Sequence, residues 1–213
     1  MSGKKSSIGN IISDKEFWLI LAFNAILVYT YQIGETSASL VVLLYYVQSV
    51  FIGIQYFIRL VAIGKRNAQE KEDKPRQGVY GEAVFFLLHY GFFHLVYFFF
   101  IIKMVIDLPG VVDFKMLLLL MLALAGNTVL STMSDVRQDR AAKESPSIFF
   151  QPYLRIFPMH LLIIYGFNSS SIENVNKALL LFIVLKTVAD VLMHIVVNKT
   201  WKGKRPNATG GWV

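Results

Sequence analysis

Residues 178–197 form a 20-residue stretch that is almost wholly apolar apart from Lys186, Asp190 and His194. As a helix it spans roughly 30 Å at about 1.5 Å per residue, the thickness of a bilayer's hydrocarbon core. The spacing i, i+4, i+8 puts the three polar groups on one stripe that drifts only about 40° per step. A charge near the bilayer centre costs about 2.5–3.5 kcal/mol on insertion scales, so such groups face a bundle interior and find partners there. The chain is therefore expected to wrap further helices around this stripe and to present polar groups to it.

Five more apolar runs precede this one, at about 17–33, 39–63, 83–106, 116–134 and 153–167. The last of these is short and contains Pro158, which predicts a kink or a partial span. The chain is 16% charged, where soluble domains average about 25%, and its mean hydropathy is +0.52. The pattern predicts an all-α fold, a single integral membrane domain over residues 1–213 with about six transmembrane helices. Residues 1–16 form a cytoplasmic tail, 64–81 a hydrophilic cytoplasmic loop and 199–213 a basic cytoplasmic tail. The absence of cysteine excludes disulfides, thiolate metal sites and a cysteine nucleophile.

A net charge of +7 raises the question of nucleic acid. The basic residues instead sit between apolar runs. Fifteen Lys and Arg fall on one side of the six-span scheme: Lys4, Lys5 and Lys15, five in the second loop, Arg137, Arg140 and Lys143, and four in the C-terminal tail. The opposite loops hold Lys115 and Lys177 alone. Such a bias is topological, so the bilayer and not a nucleic acid is the expected partner, with both termini in the cytoplasm. Arg59, Lys103, Arg155 and Lys186 remain inside or at the edges of spans.

Depth along the spans groups the polar residues. Counted at about 1.5 Å per residue, His89, Asn127, His160 and Asp190 reach a similar height, about 10–12 Å above the inner boundary. Lys186, His94 and Gln48 lie nearer the midplane, Arg155 and His194 nearer the cytoplasm. All 4 histidines of the chain thus fall in predicted spans. Imidazole and carboxylate suit zinc, iron, copper or nickel, so His89, His94, His160, Asp190 and His194 are the candidate ligands for a divalent metal ion. Gln48, Asn127, Arg155 and Lys186 complete the polar cluster. His89 and His94 lie about 140° apart around one helix and are expected not to share an ion. No HExxH or HxxxH pair is present, and Lys186 brings a competing cation. The same groups could relay protons, since histidine titrates near neutral pH. Lys186 and Asp190 could equally neutralise each other as a buried pair. Gln48, Gln55 and Arg59 make a polar stripe on the second span. Arg155 is expected to point away from the Tyr153–His160 face, toward phosphate headgroups. Phe92, Phe93 and Phe98 to Phe100 read as lipid-facing and packing surface, and Trp18, Trp201 and Tyr29 or Tyr31 as interfacial anchors.

Several stretches resemble an uncharacterised family of bacterial multi-pass membrane proteins, a domain of unknown function. They are Leu88-His89-Tyr90-Gly91-Phe92-Phe93 with His94, Pro152-Tyr153-Leu154-Arg155-Ile156 with His160, and Leu185-Lys186-Thr187 with Asp190 and His194. The resemblance implies location in a bacterial inner membrane. It also implies that the polar cluster belongs to the family's plan, and it names no activity. In the second span, where the family reads YWxENxxxG, this chain has Tyr45-Tyr46-Val47-Gln48-Ser49 and Gly53, with Gln48 and Ser49 in place of Glu and Asn. A serine–histidine motif near the end of the fourth span is replaced by Ser131-Thr132-Met133-Ser134. Any ligand or catalytic role of those Glu and His side chains is missing from these positions here.

Three functional readings follow. The first is an intramembrane site that binds or translocates a small ligand or ion, lined by His89, His94, His160, Lys186, Asp190 and His194. The second is a membrane enzyme using a histidine-held metal on a lipid or quinone-like substrate. The third is a non-catalytic accessory or assembly subunit of a membrane complex. No Walker A loop, GxGxxG or GxSxG elbow competes with them.

Overall fold

The structure is a computed structural model, and it describes residues 15–70, 80–107, 112–141, 148–167 and 172–202. Within them the chain forms six helices: α1 (Lys15–Gln32), α2 (Ala38–Glu70), α3 (Gly81–Asp107), α4 (Phe114–Ala141), α5 (Gln151–Phe167) and α6 (Ile172–Lys202). The described residues contain no strand. Each of the six apolar runs falls on one helix, the first running one residue beyond its end, and several helices continue well past their run. The hydrophilic loop expected from residue 64 is helical as far as Glu70, so Lys65 and Arg66 extend α2. Likewise α4 carries Asp135, Arg137, Asp139 and Arg140 in regular helix. The N-terminal tail as far as residue 14, loop residues 71–79, Lys143, residues 203–213 and the side chains of His194 and Trp201 lie outside the described residues.

The connection between α1 and α2 shows how local chemistry sets the hairpin. Gly34 has φ +79°, a left-handed conformation open to glycine without a Cβ clash. It closes α1 with two tight bonds, Glu35 N–H to the Thr30 carbonyl at 3.0 Å and Gly34 N–H to the Tyr31 carbonyl at 3.2 Å. Three residues later the Ser37 hydroxyl accepts the Leu40 N–H at 3.2 Å and starts α2. Asp113 caps α4 in the same way, accepting from Lys115 and Met116. Pro158 sits inside α5, which runs through it as one helix of 17 residues.

Among the described residues three helices, α2, α3 and α4, are long and apolar enough to cross a membrane. Their apolar windows differ in cover: 44% of the α2 window is buried but only 11% of the α4 window. The longest helix is accordingly the centre of the bundle. It packs against α3, α4 and α5, while α5 and α6 pair closely and α1 lies on α6. The outer surface is strongly apolar, with Leu88, Phe92, Phe99 and Ile106 on α3 and Leu119, Leu122 and Leu130 on α4 all exposed. Water would penalise such a surface and hydrocarbon would not. Phe98 belongs to this outer face too, whereas Phe93 and Phe100 are half-buried against the core. Trp18 and Tyr29 are exposed on α1, and Tyr31 instead donates its hydroxyl to Asn176 of α6 at 2.6 Å.

The core is aromatic where α2 meets α3. A Cβ on Gly53 would overlap the Tyr90 ring, so glycine at that position lets the ring lie flat against the α2 backbone. The Tyr90 hydroxyl then reaches the Ser49 carbonyl at 2.9 Å.

Candidate functional site

Lys186 and Asp190 stand one turn apart on α6 and are bonded, Nζ to Oδ2, at 2.5 Å. Arg155 of α5 approaches the other carboxylate oxygen, with Nε 3.4 Å from Oδ1. The expectation that Arg155 points to headgroups is corrected here: close packing of α5 on α6 turns it inward to Asp190. Its Nε is buried and makes no hydrogen bond among the described residues. Two cations therefore share one carboxylate. Below them Lys186 Nζ sits 4.7 Å from the centroid of the Tyr45 ring, a cation–π contact, and the Tyr45 hydroxyl donates to Asn24 Oδ1 at 2.6 Å. The cluster thus joins α1, α2, α5 and α6. Lys186 and Asp190 are buried, and the Arg155 side chain is 25% exposed.

The histidines occupy other places. His94 is buried on α3, stacked on Tyr90 at 4.2 Å, with Nδ1 2.9 Å from the Tyr90 carbonyl and Nε2 2.9 Å from Ser49 Oγ. A carbonyl only accepts, so Nδ1 carries the proton and the Ser49 hydroxyl donates to Nε2. Both ring nitrogens are engaged within the protein. His89 and His160 are exposed, and each meets a tyrosine of the facing helix. His89 Nδ1 lies 2.9 Å from the Tyr153 hydroxyl, and His160 Nδ1 lies 2.6 Å from that of Tyr97. Asn127 is exposed on α4, and Gln48 is half-buried on α2. Among the described residues no three His, Asp or Glu side chains gather as a metal site would.

A second charged cluster lies between α2 and α4. Arg59 donates Nε and one Nη to Asp139 at 2.9 and 3.2 Å, and its other Nη is 3.2 Å from Asp135. Gln55 donates to Asp135 at 3.0 Å and to Ser131 at 3.3 Å. Arg66 donates to the Asp139 carbonyl, and the Arg59 guanidinium lies 5.1 Å from the centroid of the Tyr56 ring. The Tyr56 hydroxyl in turn donates to Gln151 of α5 at 2.9 Å. The polar stripe Gln55–Arg59 was visible in the sequence, but its partners fell in what read as a loop. The signal that could have found them is the match of steps: Gln55 and Arg59 are four residues apart, and so are Asp135 and Asp139.

Long apolar helices with an apolar outer face, and ionised side chains paired inside the bundle, define an all-α membrane protein. The chain belongs to a family of unknown function, DUF6498, whose model matches residues 11–208. No curated protein and no solved structure matches it.

Proposed function

We propose that the chain is a multi-pass protein of a bacterial inner membrane, with both termini cytoplasmic, that binds a small anion at Arg155, Lys186 and Asp190. In this reading α1, α5 and α6 cross the bilayer with α2, α3 and α4. The orientation is supported by the skew of Lys and Arg toward one set of loops. The observation that carries the site is the meeting of two cations on one carboxylate inside a low-dielectric bundle. A surplus positive charge there is costly unless an anion joins it. Arg155 is the receiving group, because its Nε makes no hydrogen bond among the described residues and its side chain is the most exposed of the three, at 25%. Asp190 holds both cations in place, and Tyr45 supports Lys186 from below.

The test is a thermal unfolding series on purified protein with chloride, phosphate and small carboxylates. At least one anion should raise the melting temperature of the wild type and leave Arg155→Gln unmoved. A wild type indifferent to the whole series contradicts the reading. The tight Lys186–Asp190 bond favours a second reading, an accessory membrane subunit whose buried ions serve packing alone. It expects Lys186→Met with Asp190→Leu to fold and to support cellular function normally.

A further inference from the structure

The outer face of the α2–α4 pair carries a groove of about 450 Å³ whose walls include Ile54, Ile58, Val129 and Met133 and whose one end is formed by Arg137 and Arg140. That volume falls in the range of small-molecule sites, about 300–1,000 Å³. Its floor is less polar than its composition suggests, because the Thr132 hydroxyl is turned back onto the Thr128 carbonyl at 2.6 Å.

The distribution of charge along α4 is what makes the groove specific. In the run Asp135-Val136-Arg137-Gln138-Asp139-Arg140 the two carboxylates face α2 and are taken up by Arg59. The two arginines leave α4 on a different face, beside the groove that Ile54 and Ile58 of α2 share; they are exposed and have no hydrogen bond or ion pair among the described residues. They stand at the end of the apolar span of α4, which has less protein cover than the spans of α2 and α3. An apolar channel parallel to a span, ending in two guanidinium groups with no carboxylate partner among the described residues, matches an acyl chain joined to a phosphate. Arginine binds phosphate through paired N–H donors, and basic pockets between membrane helices at the cytoplasmic surface hold acidic headgroups.

We infer that the α2–α4 groove is a binding site for an anionic phospholipid, with an acyl chain along Ile54, Ile58 and Met133 and the phosphate on Arg137 and Arg140. The inference rests on the bilayer location proposed above and not on the Arg155 cluster.

Native mass spectrometry of the purified protein, titrated with phosphatidylglycerol and with phosphatidylcholine of the same chains, tests it. The wild type should bind phosphatidylglycerol at least tenfold more tightly. Arg137→Gln with Arg140→Gln should reduce that to the phosphatidylcholine level. Ile58→Trp, which fills the channel and keeps both arginines, should weaken phosphatidylglycerol as well. Lys115→Gln, an exposed cation at the other end of α4, should change nothing. Arg155→Gln should keep the lipid preference, which separates failure here from failure of the anion site. Equal binding of the two lipids by the wild type, survival of the preference without the two arginines, or displacement of the lipid by inorganic phosphate alone overturns the proposal.

Discussion

Arg59 of α2 grips Asp139 of α4 through two hydrogen bonds, at 2.9 and 3.2 Å, with the residues 3% and 0% exposed. The pair is the electrostatic bolt between the central helix and α4, and Asp135 and Gln55 complete it. Removing Arg59 strands Asp139 in a medium that cannot solvate it, at a cost of about 3–5 kcal/mol, whereas Arg59 without Asp139 keeps its ion pair with Asp135. Arg59→Met should therefore lower stability in a denaturant titration by that order, and Asp139→Ala by less. Arg59→Met with Asp139→Leu should recover most of the loss, because no charge of the pair then stays buried alone. Additive losses in the double variant would contradict the pairing.

Gly53 and Tyr90 make a steric prediction of the same kind. A methyl at position 53 meets the Tyr90 ring, and overpacking of this sort costs about 1–3 kcal/mol. Gly53→Ala should destabilise the protein, and Tyr90→Leu in the same chain should relieve part of the strain. If Gly53→Ala is as stable as the wild type, α2 and α3 do not approach as described.

His94 makes a spectroscopic prediction. With Tyr90's carbonyl on one nitrogen and Ser49's hydroxyl on the other, its imidazole should be the Nδ1–H tautomer in nitrogen-15 spectra. Ser49→Ala should cost about 1–3 kcal/mol by leaving Nε2 buried without a donor. An Nε2–H tautomer would show that the ring bonds differ.

The helices were legible from the apolar runs because a bilayer demands long apolar segments and closed backbone bonding. The Lys186–Asp190 contact was legible too, since i, i+4 neighbours on one helix must meet whatever surrounds them. Rotation of the other spans was not. Helices in lipid are apolar on nearly every side, so periodicity says little about which face turns inward, and equal depth did not bring His89, His160 and Asp190 together. His89 and His160 proved to lie on outer faces against Tyr153 and Tyr97. Asp135 and Asp139 were hidden for a different reason: their charge made the end of α4 read as loop, whereas the helix continues past the apolar span and carries them to Arg59. Arg155 is a third case, because its inward direction depends on the packing of α5 on α6, which no single segment encodes.

The anion proposed to complete the cluster balances the positive charge that Arg155 and Lys186 hold beyond what Asp190 neutralises. A crystal of the protein grown with bromide, read by anomalous scattering, locates that anion. A bromide peak is expected within hydrogen-bonding reach of Arg155 Nε, lost in Arg155→Gln. Bromide found only at surface cations such as Arg137 and Arg140, with none at Arg155, would contradict it.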